Sequence, residues 1–402
     1  MTVTTRPRST TAKNGRAKTQ PSKVAVANRG PDVDFFLIGS VGILCMLGIV
    51  MVYSATMVYS PAKGTGPGWG AAAMQVAYLI VGVLAALFAR RLPGRFWEGP
   101  FATVLVGIAF AMQGYLAAAR LLTKVGVKEV PLVSNRNGGF RWLDLGPVSF
   151  QPSDIAKLAL ILWVAKAIAD AESPLVSWPA IKRIFIVSFS LCALVMAGND
   201  LGTTLLLFGT TMTMLLFAGA PWRLLTLISA VAVIAVVLIV QFGGEFRGER
   251  MTAFMNSDSS SDKAFQANQS KIGFASGGLF GTGPGTSRQK WGYLPEADTD
   301  FIFAVIGEEL GVAGTLLVLG SYLAFMASAL VLAIRSTSRF CRFVGFGITT
   351  WIGVQALINI GVALSVLPTK GITLPFVSRG GSSLIMCLLA VGVLMSVSKE
   401  PV

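Results

Sequence analysis

Six ionisable residues stand at the ends of apolar stretches in this chain: Asp154, Lys157, Asp200, Asp300, Glu308 and Glu309. Ionisable groups at membrane depth are costly and tend to be functional. The sequence contains no histidine. That excludes Ser-His-Asp and Cys-His catalysis and histidine ligation of a metal. Acid–base chemistry therefore falls to carboxylates, Lys, Tyr or Cys. All six charged residues lie at or near expected outer helix ends, which predicts one outward-facing polar cavity.

On a helix starting near Asp300, at 100° per residue, Gly307 and Gly311 lie within about 20° of its face, Glu308 about 80° away and Glu309 about 180° away. Asp300 and Glu308 are thus expected to line one cavity, with Glu309 facing elsewhere. The competing reading of Asp300 is a helix cap that meets the helix dipole. Gln151-Pro152-Ser153-Asp154 reads as a helix start, with Pro in the first turn and an acid at the positive end. Lys157, one turn on, either pairs with Asp154 at i+3 or offers its ammonium to an anionic ligand. Arg141 beside Trp142 suits a phosphate next to a sugar or lipid surface, or else an interface anchor.

The elements that must hold these residues are apolar helices. The 402 residues are 53% hydrophobic and only 13% charged, against about 25% charged in soluble domains. A bilayer crossing needs about 20 apolar residues, and ten stretches qualify: about 35–58, 72–89, 98–119, 153–169, 183–198, 201–219, 222–241, 301–333, 343–365 and 380–397. The expected fold is an all-α integral membrane protein of about ten transmembrane helices. Two long extracytoplasmic loops, about 120–152 and 242–300, show no evident helix or strand, and such loops tend to be functional. The stretch 301–333 is too long for one straight span and would project beyond the bilayer. The glycine run Gly281–Gly285 lacks the strand–helix context and the GK[ST] of a nucleotide loop.

The net charge is +14, and residues 1–31 hold seven cations and no acid. Residues 1–34 read as a disordered basic cytoplasmic tail, residues 35–398 as the polytopic membrane domain and residues 399–402 as a cytoplasmic end. Ten spans place both termini on one side, and the positive-inside rule makes that side cytoplasmic. The charge is therefore a topogenic signal, and nucleic acid is not an expected partner. Cys45, Cys192, Cys341 and Cys387 lack metal or disulfide spacing and read as free packing residues.

Several long runs carry a family resemblance. They are Arg141-Trp142-Leu143 with Leu145-Gly146-Pro147; Phe150 through Leu158; Asp200-Leu201-Gly202-Thr203; Ser276 through Gly283; Leu294-Pro295-Glu296 with Thr299 through Ala304; Gly307 through Gly311; and Leu367 through Gly371 with Gly380 through Leu384. On these runs the chain resembles the SEDS family (shape, elongation, division and sporulation) from about residue 35 to 398. The Pro-Thr-Lys-Gly run looks like the division branch; elongation relatives usually carry a residue other than Lys there.

The resemblance implies a peptidoglycan glycosyltransferase that polymerises lipid II outside the membrane. It implies a class B penicillin-binding protein transpeptidase and other divisome proteins as partners. The family's essential aspartate corresponds to Asp300, which would accept the proton of the acceptor hydroxyl. Because pyrophosphate is already a good leaving group, one carboxylate would suffice, unlike the pair used by glycosidases. Arg141, Lys157, Arg250 and Lys370 are the candidates to hold pyrophosphate oxygens, with Trp142 against sugar or lipid. Asp154, Asp200, Glu308, Arg379 and Ser382 are candidates for lining or supporting the cavity. A divalent ion such as Mg2+ would assist this chemistry, although the sequence shows no dedicated metal cage.

Four positions depart from the family pattern. Asp154 replaces the usual Glu, and Asn199 the usual Pro. Arg379 stands for Tyr, and would serve an anionic substrate or pair with an outer carboxylate. Asp298 stands for His and adds an anion two residues from Asp300, which favours the protonated form of that carboxylate. A lipid-precursor flippase and a non-catalytic divisome scaffold remain the competing classes.

Overall fold

The computed structural model describes residues 31–57, 68–127, 130–136, 139–144, 146, 149–171, 177–242, 262–368 and 371–398. The helices are α1 (Pro31–Thr56), α2 (Gly68–Arg91), the short α3 (Gly94–Glu98), α4 (Pro100–Lys124), α5 (Pro152–Ala169), α6 (Trp178–Ala197), α7 (Leu201–Phe217), α8 (Trp222–Phe242), α9 (Asp262–Gly277), α10 (Ile302–Arg335), α11 (Arg339–Ala363) and α12 (Gly381–Val397). Each of the ten expected crossings falls on a helix. Among the described residues, α1, α2, α4, α6, α10 and α11 are long and apolar enough to cross a membrane, while α7, α12 and part of α8 are shorter apolar helices. Helix α1 begins at Pro31, inside the stretch read as tail; the rest of that tail and residues 399–402 lie outside the described residues.

Local chemistry sets the helix ends. Pro152 opens α5 with Asp154 in its first turn. Proline's fixed φ suits that position, and the acid meets the positive end of the dipole. Arg90 and Arg91 close α2, where cations meet the negative end. Helix α5 carries Asp154, Lys157 and Lys166 yet is buried almost throughout. It packs against α4, α6, α7, α11 and α12, so protein rather than lipid surrounds its charges.

Neither long loop is featureless. The first folds into an antiparallel sheet of β1 (Val133–Arg136), β2 (Gly139–Asp144) and β3 (Ser149–Phe150), in that order. Strands this short, broken by a bulge, carry too little alternation to be recognised. The second loop contains α9 and a 3-10 turn at Gln289–Trp291. Helix α9 is polar, but Gln266, Ser270, Gly273 and Gly277 are all buried, at helical spacing.

Helix α10 spans 34 residues but is broken at Gly311, whose φ is +66°. A continuous helix of that length would run about 51 Å, well beyond the hydrocarbon core of about 30 Å. The break corrects the expected overlong span: a buried half-helix, Ile302–Leu310, precedes the long segment that starts at Val312. The chain after α9 fills the gap. Thr282 N and Gly283 N donate to Glu308 O and Glu309 O, and Val312 N and Ala313 N donate to Gly278 O and Leu279 O. These bonds satisfy backbone groups that the break would otherwise leave bare.

A Cβ at Gly311 would fall on the backbone of Leu279 and Gly281, whereas one at Gly320 on the same helix meets nothing within 4 Å. Gly311→Ala is expected to lower the melting temperature in detergent by several degrees. Strain of about 1–3 kcal/mol in this glycine-favouring backbone conformation adds there to an overpacking cost of about 1–3 kcal/mol. Gly320→Ala should leave it unchanged or raised. Equal melting temperatures for the two variants would refute the closed junction.

Candidate active site

Three segments bring Arg141, Asp300 and Gly371 together. Arg141 lies in β2 at a bulge: Ser134 pairs with Trp142 and Asn135 with Phe140, leaving Arg141 unpaired. A bulge re-aims the side chain it carries. Here Arg141 Nη2 donates to Asn199 O at 2.7 Å, and Nη1 lies 4.0 Å from Asp200 Oδ1. Phe140 N donates to Gly198 O at 3.1 Å, so the sheet is docked on the turn between α6 and α7. Asn199 has φ +68°, a backbone that proline, held near about −65°, does not adopt. That departure from the family pattern therefore shapes the carbonyl that receives Arg141. Trp142 is half-buried beside it.

A methyl group at Gly371 would lie 3.5 Å from Asp300 Oδ2 and 3.6 Å from Arg141 Nη1. The carboxylate and the guanidinium thus flank one glycine whose φ is +62°. Asp300 is not the helix cap; Phe301 occupies that position, and α10 starts only at Ile302. A carboxylate beside a guanidinium at a half-buried position can accept a proton next to a bound anion. Among the described residues, no group of three or more Asp, Glu or Cys is placed to hold a metal ion.

Beneath Arg141 runs a buried polar network. Asp200 caps α7, with Oδ1 accepting from Thr203 N at 3.0 Å and Oδ2 from Thr203 Oγ1 at 2.9 Å. Gln151 Nε2 donates to Asp200 Oδ2 at 3.3 Å, and Gln151 N to Ser382 Oγ at 3.3 Å. Ser382 Oγ donates to Asp154 Oδ2 at 2.7 Å, and Lys157 Nζ to Asp154 Oδ1 at 2.8 Å. Lys157 also donates to Gln355 Oε1 at 3.2 Å, and its ammonium sits 5.5 Å from the Trp351 ring centroid. Asp154, Asp200 and Ser382 are therefore supporting groups. Of the two roles that the spacing offered Lys157, the structure shows the ion pair with Asp154, its ammonium buried.

Glu308 does not share a cavity with Asp300. It accepts from Arg288 N at 2.9 Å, from Gln289 N at 3.4 Å and from Ser287 Oγ. Glu309, expected to face elsewhere than Asp300, meets the same loop as Glu308. Its Oε1 accepts from Ser54 Oγ at 2.6 Å, Ser287 N at 3.2 Å and Lys290 Nζ at 3.3 Å, and its Oε2 from Gly285 N at 2.9 Å. The helical wheel fails because Asp300 precedes the helix, and because the loop wraps around the end of the half-helix.

Arg379 pairs with Asp298: Nη1 lies 2.9 Å from Oδ2, and Arg379 N donates to Asp298 O at 2.9 Å. Two departures from the family pattern thus meet each other. The added anion near Asp300 is paired with a cation. The pair is partly exposed, so a double-mutant cycle of Asp298→Ala and Arg379→Ala should give a coupling below about 1 kcal/mol. A larger value would mean that the pair acts as a buried one. Arg250 and Lys370 lie outside the described residues.

Gln151, Gln355, Asn359 and Ser378 were not among the sequence-derived candidates. Gln355 and Asn359 were legible as two amides one turn apart in an apolar helix.

Comparison with known proteins fits this geometry. A family model described as a cell cycle protein, covering FtsW, RodA and SpoVE, matches residues 35–401. The probable peptidoglycan glycosyltransferase FtsW of Saccharophagus degradans is 36% identical over 359 residues, covering 88% of this chain and 89% of that protein. Stage V sporulation protein E of Bacillus subtilis is 34% identical over 371 residues, covering 91% and 97%. Among solved structures, a chain of a peptidoglycan synthase complex matches with a TM-score of 0.70 at 26% identity, covering 91% of this chain and 97% of that one. The rod shape determining protein RodA of Thermus thermophilus matches with a TM-score of 0.61 at 27% identity, covering 91% and 96%. With the match running through the sheet, the broken helix and the Gly371 segment alike, this chain is a multi-pass membrane protein and belongs to the FtsW/RodA/SpoVE family of cell cycle proteins.

Proposed function

We propose that this chain is a peptidoglycan glycosyltransferase that polymerises lipid II at the outer face of the cytoplasmic membrane during septal wall synthesis. The single observation that carries the reading is Asp300 and Arg141 flanking Gly371, in a chain whose curated relatives are named peptidoglycan glycosyltransferases. The acceptor hydroxyl attacks the anomeric carbon of the donor with inversion. Its proton passes to Asp300 Oδ2, a glycosidic C–O bond forms, and the C–O bond to the polyprenyl pyrophosphate breaks. Arg141 meets the charge that develops on the departing pyrophosphate. Lys370, next to Gly371 in sequence, and Arg250 are the other cations assigned to that charge. Trp142 is assigned to the sugar or lipid surface.

A class B penicillin-binding protein is the proposed partner, supplying crosslinking beside this polymerising chain, together with other divisome proteins. The solved relative from a complex that coordinates polymerization and crosslinking supports that pairing. The basic N-terminal residues support cytoplasmic termini. The test is polymerisation of lipid II by the purified complex in detergent, where the two compartments that flipping requires are gone. Glycan product there supports the enzyme. Lipid movement in vesicles with no product in detergent would instead favour a flippase, and neither outcome would leave a scaffold.

A further inference from the structure

The residues leading into α10 are held by donors from elsewhere in the chain. Three successive carbonyls are each captured. Asp298 O accepts from Arg379 N at 2.9 Å, Thr299 O from Ser378 Oγ at 2.6 Å and Asp300 O from Asn359 Nδ2 at 2.9 Å. The side-chain donors also grip the segment after Gly371. Asn359 Nδ2 donates to Ile372 O at 2.7 Å, and Ser378 Oγ accepts from Leu374 N at 2.8 Å. Between these contacts, Gln355 Nε2 donates to Thr373 O at 3.0 Å.

The 298–300 segment is neither helix nor strand, and Glu296 ahead of it has φ +58°. No regular ladder fixes its backbone, so the cross-chain bonds set its place. Asn359 and Gln355 are 1% and 0% exposed and lie one turn apart on α11, so they offer the loop a rigid edge. Gln355 in turn accepts from Lys157 Nζ at 3.2 Å and Trp351 Nε1 at 2.8 Å. That joins the clamp to the Asp154–Lys157 pair on α5.

We infer that Asn359 and Ser378 are positioning residues for Asp300: each bridges the aspartate's own segment to the segment after Gly371 and so sets where Asp300 sits against it. Neither side chain is assigned a contact with substrate. The inference rests on the proposed polymerase activity for its kinetic consequence and on geometry alone for the clamp. A misplacement of about 1 Å at a reacting group costs about 100-fold in rate, so loss of a bridge should act on turnover rather than on binding.

The experiment uses the full chain purified with its transpeptidase partner. Asn359→Leu and Ser378→Ala should each lower kcat by roughly 10- to 100-fold, with KM for lipid II within about twofold. Ser378→Thr keeps the hydroxyl and should stay within about threefold of the wild type. In parallel, hydrogen exchange of the Thr299 and Phe301 amides should quicken in Asn359→Leu while α5 and α12 stay protected. Unchanged kcat in folded Asn359→Leu, a KM effect without a kcat effect, or failure of Ser378→Thr to restore turnover would overturn the inference. Should Asn359→Leu not fold, the Ser378→Ala and Ser378→Thr pair decides. Should the wild type form no glycan, the functional reading falls, and the exchange measurement alone decides the clamp.

Discussion

Replacing Asp300 by Asn is expected to reduce glycan polymerisation by about 10²- to 10⁴-fold, the usual contribution of a positioned general base. The amide is nearly isosteric but cannot take the acceptor proton at neutral pH. The backbone bonds that hold the segment involve carbonyl and amide groups, which the substitution leaves in place. The variant should therefore fold, melt within a few degrees of the wild type and still bind its partner. Polymerisation within threefold of the wild type would sink the assignment. A matched loss of melting temperature and activity would point to a structural role instead.

The largest effect on stability is expected at Glu309. Its carboxylate gathers Ser54 from α1, Lys290 from the 3-10 turn and two backbone amides of the glycine-rich loop. The Lys290 and Glu309 side chains are 1% and 0% exposed. Glu309→Leu leaves the buried ammonium without its counter-charge, with Gly285 O and Ser54 Oγ as its remaining oxygen acceptors, and leaves the Gly285 and Ser287 amides without their acceptor. Breaking one side of a buried pair costs about 3–5 kcal/mol, so a marked fall in melting temperature should accompany early protease cleavage in 281–291. Adding Lys290→Met removes the stranded charge and should recover part of the loss, since apolar replacement of a buried pair is often neutral. Recovery should be incomplete, because the two amides remain unpaired. A double variant no more stable than Glu309→Leu would mean that the salt bridge is not what holds the loop.

The helices were legible because an apolar run of bilayer length has few alternatives, and each of the ten runs proved helical. The Asp154–Lys157 pair was also legible, since i+3 spacing on a helix imposes proximity. The sheet was not, because β3 has two residues and a bulge interrupts β2. The Arg379–Asp298 pair joins residues 81 apart, and no local pattern encodes that closure. The wheel that joined Asp300 to Glu308 assumed one uninterrupted helix starting at the aspartate. Bonds from Asn359 and Ser378 hold the turn before Ile302, and the loop after α9 closes on Glu308 and Glu309, so that assumption fails at both ends.

The break at Gly311 also separates two mechanical demands. From Val312 onward, α10 presents exposed apolar side chains such as Leu316, Leu317 and Leu323, so this segment must match the thickness of the surrounding bilayer by tilting. The preceding half-helix, Ile302–Leu310, is surrounded almost entirely by protein. A change in lipid chain length is therefore expected to act on the segment from Val312 onward, with the Asp300 end seated in protein. Turnover should accordingly vary little between reconstitutions in short- and long-chain lipids.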